Sequence, residues 1–285
     1  MSDLSSADHE TGEFTAIDGM RLFYQYWKPE EPEQAVVILV HGINEHSDRY
    51  IHFVEHLLKR HFAVETFDLR GHGRSESPVK PTYVNQFEEY QEDLDLFLAS
   101  VSERHPGIPV FLFGHSMGGT IATKLLIERS LSPAGLILSS AGLKVGETTP
   151  GWLIKLSGVV SRLFPTLSTT KISPEKLTRN QDIVEQIKAD PMYYSKGIPA
   201  KTGAELLKAM DTIQSGADKI SLPLLVMHGG ADTVTSVAGS KSFYEKASSE
   251  DKTLKIYENA YHEILNEPEK EQVMQDISSW IIEQI

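Results

Sequence analysis

The sequence predicts an α/β fold, with a mostly parallel central sheet, helices on both faces and one inserted helical segment. From residue 35 onward, short β-branched runs alternate with longer helical patterns, and the short runs are apolar throughout. Continuous apolar strands separated by helices are typical of a parallel sheet that is covered on both faces. The alternation fails once, between about residues 144 and 216, where the spacing is far too long for one crossover and the pattern is helical.

The chain opens with a predicted β-hairpin. Two alternating segments, Glu13 to Ile17 and Arg21 to Trp27, flank Asp18-Gly19, a dipeptide that readily adopts the positive φ angles of a tight turn. The later strands are expected at Ala35 to Val40, Phe62 to Phe67, Val110 to Phe113, Gly135 to Leu138, Leu222 to Met227 and Thr253 to Tyr257. The helices are expected at Ile51 to Arg60, Asn85 to Glu103, Thr120 to Arg129, Val237 to Ala247 and Glu269 to Ile285. We therefore predict one core domain, residues 1–143 and 217–285, with residues 144–216 inserted as a helical cap.

Composition limits the classes of function. The 40 acidic residues outnumber the 27 basic ones, for a formal net charge of -13, which repels phosphate backbones and argues against a nucleic-acid partner. The chain has no cysteine, which excludes disulfides, thiolate nucleophiles and cysteine-based metal sites. The first residues are polar and acidic and lack the pattern of a secretion signal. No run approaches the roughly 18 apolar residues of a membrane span, so we expect a cytoplasmic protein.

A nucleophile motif lies between a predicted strand and a predicted helix. Gly114-His115-Ser116-Met117-Gly118 matches the pattern G-x-S-x-G, in which a sharp turn lifts the serine above the sheet. Ser116 also lies at a helix N-terminus, where the helix dipole favours developing negative charge. The alternative is a glycine-rich turn whose serine only caps the helix. The strand before it and the helix after it favour the nucleophile, as in the α/β-hydrolase fold.

The base and the acid follow from chain order, which in this fold is serine, acid, histidine. Only His228 and His262 follow Ser116. Asp232 lies in the loop after a strand, at the carboxyl edge where the sites of open sheets form, and His262 follows the last strand. We therefore predict a triad of Ser116, Asp232 and His262. His228 is interpreted as a buried histidine that packs or forms a hydrogen bond. It is the reserve candidate for the base.

The loop after the strand Ala35 to Val40 is the predicted oxyanion loop. It begins with His41-Gly-Ile-Asn, the position from which this fold supplies one backbone N–H to the tetrahedral oxyanion, the other coming from the residue after the nucleophile. The backbone N–H groups of Ile43 and Met117 are thus the expected donors. The alternative for His41-Gly42 is an ordinary turn at the end of a strand.

Two other motifs have plain structural explanations. His52 and His56 lie four residues apart on a predicted helix and could share a metal, but Phe53 stands where the zinc-protease pattern needs glutamate, so a solvated helix face is favoured. Gly71-His72-Gly73 lacks the lysine and glycine spacing of a phosphate loop and is interpreted as a turn beside the site. Neither a metal nor a cofactor is expected.

An amphipathic run, Trp152 to Phe164, lies in the predicted cap. Packing of a cap helix on the core explains most of its apolar residues. The alternative is the lip of an acyl-chain tunnel that touches lipid, with Trp152, Leu153 and Leu156 as its residues. Transient peripheral contact with a membrane through the cap would follow.

Several segments together resemble one family. His41-Gly-Ile-Asn-Glu-His-Ser-Asp-Arg-Tyr50 is similar to its HGxGEHSxRY segment, and the further matches are Phe67 to Ser75, Gly114 to Gly119, Asp190-Pro191, Ala204 to Met210, His228 to Asp232 and Lys252 to His262. The family is the monoacylglycerol lipase group of α/β-hydrolases, which also contains lysophospholipase-like esterases. Two departures, Asn44 where glycine is usual and Leu265 where some members have a polar residue, bear on the choice of head group.

The resemblance implies hydrolysis of a long-chain monoacylglycerol to fatty acid and glycerol through an acyl-Ser116, without a cofactor. A carboxylesterase or lysophospholipase, and a ligand-binding signalling protein with slow turnover, stay open as alternatives. Glu45 can accept hydrogen bonds from a small neutral alcohol, and Arg49 can hold that carboxylate by a bidentate pair. A structural salt bridge that pins the loop explains the same two residues. Acyl length, leaving alcohol and oligomeric state do not follow from the sequence.

Overall fold

The computed structural model describes residues 8–77, 79–144 and 158–285. Their strands form one eight-stranded sheet in the order β1-β2-β4-β3-β5-β6-β7-β8. Strands β1 and β2, and β2 and β4, pair antiparallel, and all other neighbours pair parallel. The strands are β1 (Asp8–Thr15), β2 (Arg21–Lys28), β3 (Ala35–Val40), β4 (Phe62–Phe67), β5 (Val110–His115), β6 (Gly135–Ser139), β7 (Leu224–Gly229) and β8 (Lys252–Tyr257). The predicted mostly parallel sheet and its opening hairpin are confirmed.

Helices cover both faces of the sheet. They are α1 (Ile51–Leu58), α2 (Glu88–Arg104), α3 (Met117–Glu128), α4 (158–163), α5 (Gln181–Ala189), α6 (Ala200–Gly216), α7 (Val237–Lys246) and α8 (Lys270–Gln284). Alternate side chains of β3 enter two different hydrophobic clusters: Ile38 packs with α2, α3 and α7, whereas Val37 packs with α1 and α8. Because a strand points successive side chains to opposite faces, a continuous apolar strand requires this double cover.

The first strand begins at Asp8, five residues before the predicted Glu13. Two other errors in the predicted boundaries have local causes. Helix α3 begins at Met117, three residues before the predicted Thr120. Gly118 and Gly119 have low helix propensity, which explains the late predicted start. The helix nevertheless includes them because it packs closely on the end of β3: a Cβ on Gly118 would lie 2.1 Å from the Val40 carbonyl oxygen. Strand β7 begins at Leu224, after Pro223, which has no N–H to donate to a neighbouring strand.

The residues between β6 and β7 carry α4, α5 and α6. Ala209 and Ile213 of α6 pack in the same cluster as α3, so the second half of this helix contributes to the core. The division into core and cap at residues 144 and 216 stays a prediction. Trp152, Leu153 and Leu156 lie outside the described residues. Within the described ranges, no helix has the length and apolarity needed to cross a membrane.

Candidate active site

Ser116 lies in a tight turn between the end of β5 and the start of α3. Its backbone has φ 50° and ψ -117°, a strained conformation for a residue with a Cβ. Two hydrogen bonds hold the turn: Ser116 N–H donates to the Ser139 carbonyl at 3.0 Å, and Thr120 N–H donates to the Ser116 carbonyl at 3.2 Å. The serine is thus fixed at the carboxyl edge of the sheet, as the G-x-S-x-G pattern predicts.

Asp232 and His262 come together beside this turn. Asp232 Oδ2 lies 2.8 Å from His262 Nδ1, and both side chains are buried. Asp232 Oδ1 accepts hydrogen bonds from the Val234 N–H at 2.6 Å and the Thr235 N–H at 3.1 Å. The loop after β7 therefore orients the carboxylate toward the imidazole. Ser139 ends β6 and His262 follows β8, the two strands that flank β7 in the sheet.

The two groups shift each other's pKa in the directions that a base and its orienting acid need. Burial acts to raise the pKa of Asp232, but the charge of His262 and the hydrogen bonds from His228 and His262 lower it overall. Burial acts to lower the pKa of His262, but Asp232, together with the charges of Glu263 and Glu45, raises it. The imidazole is therefore a stronger base than an ordinary histidine.

His115 lies against the base, with its ring centroid 4.8 Å from that of His262. Burial, together with the charge of His262, lowers the pKa of His115 to about 4. This second imidazole is therefore neutral at pH 7 and packs against the base without adding a competing charge.

The predicted oxyanion loop is held by a neutral histidine. His41 Nε2 accepts the Leu69 N–H at 2.9 Å, so Nδ1 carries the proton and donates it to the Gly42 carbonyl at 2.7 Å. Burial lowers the pKa of His41 to about 4, which keeps this arrangement at neutral pH. The Ile43 and Met117 N–H groups have no acceptor among the described residues, as donors reserved for a ligand would require.

Glu45 and Arg49 belong to a buried ion-pair network. Glu45 Oε1 accepts the Gly42 N–H at 2.6 Å and the Tyr50 hydroxyl at 2.8 Å, while Oε2 accepts Arg49 Nη1 at 2.7 Å. Arg49 also makes a bidentate pair with Glu263, at 2.8 and 2.7 Å. The side chains of Glu45 and Arg49 are 4% and 8% exposed. Both residues thus brace the loop, with each carboxylate oxygen of Glu45 already engaged.

Sequence reasoning missed Glu263, the residue directly after the predicted base. It is buried, and burial is outweighed by Arg49, so its pKa falls to about 2. Its backbone N–H donates to the Leu177 carbonyl at 2.7 Å, and Asn266 donates to its Oε2 at 2.8 Å. The only sequence signal was an acid next to the predicted base, with no indication that its partner lies 214 positions away.

His52, His56 and Leu265 have structural partners. His52 Nε2 donates to the Leu265 carbonyl at 2.8 Å, and His56 Nε2 lies 3.1 Å from Ser278 Oγ. Both imidazoles are half-buried against these partners, so the expectation of a solvated face was wrong, because this face of α1 packs on the C-terminal part of the chain. Leu265 itself is buried in the α1 and α8 cluster.

Residues 71–73 form a turn, as the sequence predicts. Gly71 and Gly73 adopt φ 74° and 50°, which residues with a Cβ rarely adopt. His72 is buried between them, and its ring lies 5.4 Å from that of His41 in an edge-on contact. The turn therefore supports the predicted oxyanion loop through the contact between His72 and His41.

Comparisons with known proteins agree with this geometry. The family model described as "Serine aminopeptidase, S33" (Hydrolase_4) matches residues 31–269. Monoglyceride lipase of Homo sapiens is 35% identical, covering 93% of this chain and 88% of its own length. Monoacylglycerol lipase of Mycolicibacterium smegmatis is 31% identical, covering 94% of this chain and 95% of its own. The crystal structure of Paleococcus ferrophilus monoacylglycerol lipase superposes with a TM-score of 0.81 and 30% identity, over 98% of this chain and 100% of that one.

The matched residues include the Ser116 turn, the Asp232 loop and the His262 loop. The chain belongs to the Hydrolase_4 family, within the monoacylglycerol lipase-like group of α/β-hydrolases.

Proposed function

We propose that this serine ester hydrolase cleaves a monoacylglycerol to fatty acid and glycerol through a covalent acyl-Ser116. The observation that carries the proposal is the 2.8 Å contact between Asp232 and His262 beside the strained Ser116 turn. The relatives supply the substrate class, since monoacylglycerol lipases match nearly the whole chain.

Each group has one task in the proposed reaction. Ser116 Oγ attacks the ester carbonyl carbon while His262 takes the hydroxyl proton of Ser116. Asp232 stabilises the imidazolium that forms. The Ile43 and Met117 N–H groups bind the oxyanion. His262 then gives its proton to the departing alcohol oxygen, which leaves acyl-Ser116. A water molecule repeats the attack, with its proton passing through His262 to Ser116 as the fatty acid leaves.

We propose that Glu45 and Arg49 position the oxyanion loop and do not bind the alcohol directly. A substrate hydroxyl would have to reach a buried carboxylate that already accepts three hydrogen bonds, from Gly42, Tyr50 and Arg49. Glu45 also holds the Gly42 N–H, one residue before the proposed donor Ile43. The alcohol end of the pocket is thus shaped by this loop, whose position depends on the ion pair.

The cap supplies the proposed acyl-binding wall and the contact with lipid. Val159, Leu163, Phe164 and Leu167 expose between 52% and 65% of their surface, and contiguous exposed apolar surface marks sites of interaction with apolar partners. We propose transient peripheral contact of this surface with lipid aggregates, with Trp152, Leu153 and Leu156 at the tunnel lip. The cytoplasmic location stays a prediction.

A turnover panel with an active-site probe tests the proposal. The wild type and Ser116→Ala are compared on long-chain monoacylglycerols, matched lysophospholipids and short soluble esters, and both are treated with a fluorophosphonate. We expect labelling of the wild type only, with fastest turnover of monoacylglycerol. Faster cleavage of the lysophospholipid would overturn the substrate but leave the triad. Failure to label Ser116 would favour a ligand-binding protein over an enzyme.

A further inference from the structure

A second imidazole contacts the carboxylate that orients the base. His228 lies in β7 with its side chain fully buried, and its Nε2 is 3.1 Å from Asp232 Oδ2. The same oxygen lies 2.8 Å from His262 Nδ1. The proposed reaction gives His228 no task, and the sequence assigned it only packing or a hydrogen bond.

The hydrogen-bond partners determine the tautomer of His228. Its Nδ1 lies 2.7 Å from the Ser240 hydroxyl, which has no other partner among the described residues. If Nδ1 accepts the Ser240 proton, Nε2 carries the ring proton and donates it to Asp232. The opposite tautomer would turn a bare Nε2 lone pair toward an ionised oxygen, which is unfavourable in a buried site.

Thr235 completes the surroundings of this oxygen. Its hydroxyl lies 2.7 Å from Asp232 Oδ2, 3.2 Å from His228 Nε2 and 3.0 Å from the Ser140 carbonyl. With Nε2 of His228 protonated, the acceptors within reach of this hydroxyl are Asp232 Oδ2 and the Ser140 carbonyl, and its one proton can go to only one of them at a time. Asp232 Oδ2 therefore keeps the hydrogen bond from His228 N–H even when Thr235 donates to the Ser140 carbonyl.

We propose that His228 is a positioning residue for the acid of the triad: its Nε2–H holds Asp232 Oδ2 in line with His262 and takes up part of that oxygen's negative charge. The inference rests on the proposed function, because it assigns a role within that same triad. Charge that is shared with His228 is not available to stabilise a proton on His262. His228 thus limits how strongly the carboxylate raises the basicity of the catalytic imidazole.

Two amide substitutions separate this role from simple packing. His228→Gln places an amide nitrogen near the position of Nε2 and keeps the donor to Asp232. His228→Asn, one methylene shorter, reaches only as far as Nδ1, so it keeps a partner for Ser240 but removes the donor to Asp232. Both replace the ring by an amide in the same buried site, so each is the matched control for the other.

The expected direction follows from the charge on Oδ2. Without the His228 donor, more negative charge faces His262, which holds its proton to higher pH. The other charged and titratable groups around His262 are the same in both variants: Glu263, Glu45, Arg49 and His115. A change in the acid limb of kcat/KM therefore reports on the His228 contact alone.

The experiment measures kcat/KM against pH on a short soluble ester for the wild type, His228→Asn and His228→Gln. We expect His228→Asn to move the acid limb upward by about half a pH unit and to lower kcat by about tenfold. We expect His228→Gln to keep the limb in place and kcat within about threefold. Equal losses of kcat in both variants with unmoved limbs would overturn the inference, because packing alone explains them.

Ser240→Ala is the second variant if His228→Asn does not fold. It removes the hydroxyl that fixes the His228 tautomer and leaves the ring in place. We expect an upward movement of the same limb that is smaller than half a unit but measurable, whereas an unmoved limb overturns the inference. Absence of Ser116-dependent turnover in the wild type would instead refute the proposed function itself.

Discussion

Two buried carboxylates lie on loops at the same edge of the sheet, and they have nearly the same surroundings. Asp232 follows β7 and Glu45 follows β3. Each accepts hydrogen bonds on both oxygens, and each receives at least one from a backbone N–H. Hydrogen bonds on both oxygens fix the orientation of a buried carboxylate.

The two differ in the cation that each one faces. Asp232 faces His262, which gains and loses a proton near neutral pH, whereas Glu45 faces Arg49, whose guanidinium stays charged. In the proposed reaction, the first carboxylate therefore stabilises a charge that exists only during turnover. The second stabilises a permanent charge and, through it, a backbone loop. A buried, hydrogen-bonded carboxylate is thus suited to catalysis when the cation that it faces can lose its proton, and to a structural role when that cation stays charged.

Replacement of the first carboxylate should have the largest effect. Asp232→Asn keeps the shape but allows the amide to favour the wrong tautomer of His262, so we expect kcat to fall on the order of 10⁴-fold. Turnover of a soluble ester, with the melting temperature as a check on folding, measures it. Ser116→Ala sets the floor, and Ser116→Ala/His262→Ala should lie close to that floor, because the three residues act as one unit. Additive losses would contradict the triad.

Removal of the permanent cation should act on stability. Arg49→Met leaves Glu45 and Glu263 buried without their cation, and we expect the free energy of unfolding in urea to fall by about 3 to 5 kcal/mol. Arg74→Met is the matched control, because Arg74 pairs with Asp48 near the surface, where its side chain is 39% exposed. The control should cost less than about 1 kcal/mol. Equal losses would mean that burial of the Arg49 network adds nothing.

Acid should abolish activity before it unfolds the protein. His262 must be neutral to act as base, so activity falls as pH drops through its pKa, which lies above the ordinary value of 6.5. Glu263 has a lowered pKa of about 2, so its contribution to stability is present above its ordinary value of 4.5 and is lost as pH falls from there toward 2. Near pH 5 we therefore expect a folded protein with activity that falls by about tenfold per pH unit. Loss of far-UV and near-UV circular dichroism together with activity would contradict this order.

Glu45→Gln tests the second carboxylate directly. The amide keeps an oxygen for the Gly42 N–H but removes the ion pair with Arg49, so we expect kcat/KM to fall by about tenfold for a monoacylglycerol and for an ester of a plain alkyl alcohol alike. KM and kcat are measured for both esters. A rise in KM confined to the monoacylglycerol would show that Glu45 binds the glycerol hydroxyls.

The sequence predicted the elements whose signal is local. The G-x-S-x-G motif placed Ser116, and chain order together with the loops after two strands placed Asp232 and His262. The contacts of Glu263 and His228 could not be predicted in this way. Glu263 meets Arg49 across 214 positions of sequence, and the hydrogen bond from His228 to Asp232 depends on how the loop after β7 turns back on its own strand.

Asn44 offers the finest test of the comparison, because it lies between the proposed donor Ile43 and Glu45. Its backbone has φ 70° and its carbonyl accepts the Tyr194 N–H at 2.9 Å. Asparagine tolerates this left-handed conformation better than most residues, and the Oδ1 of Asn44 has no hydrogen-bond partner among the residues that the structure describes.

We expect Asn44→Gly to change the free energy of unfolding by less than about 1 kcal/mol and kcat/KM by less than about threefold. Glycine adopts the same angle and the variant keeps the carbonyl. Asn44→Ala, which also lacks the amide but strains at positive φ, should cost about 1 to 2 kcal/mol. Urea unfolding and turnover of a short ester measure both. If Asn44→Gly lowers kcat/KM as much as Glu45→Gln does, the Asn44 side chain holds the oxyanion loop, and Glu45 is not its anchor.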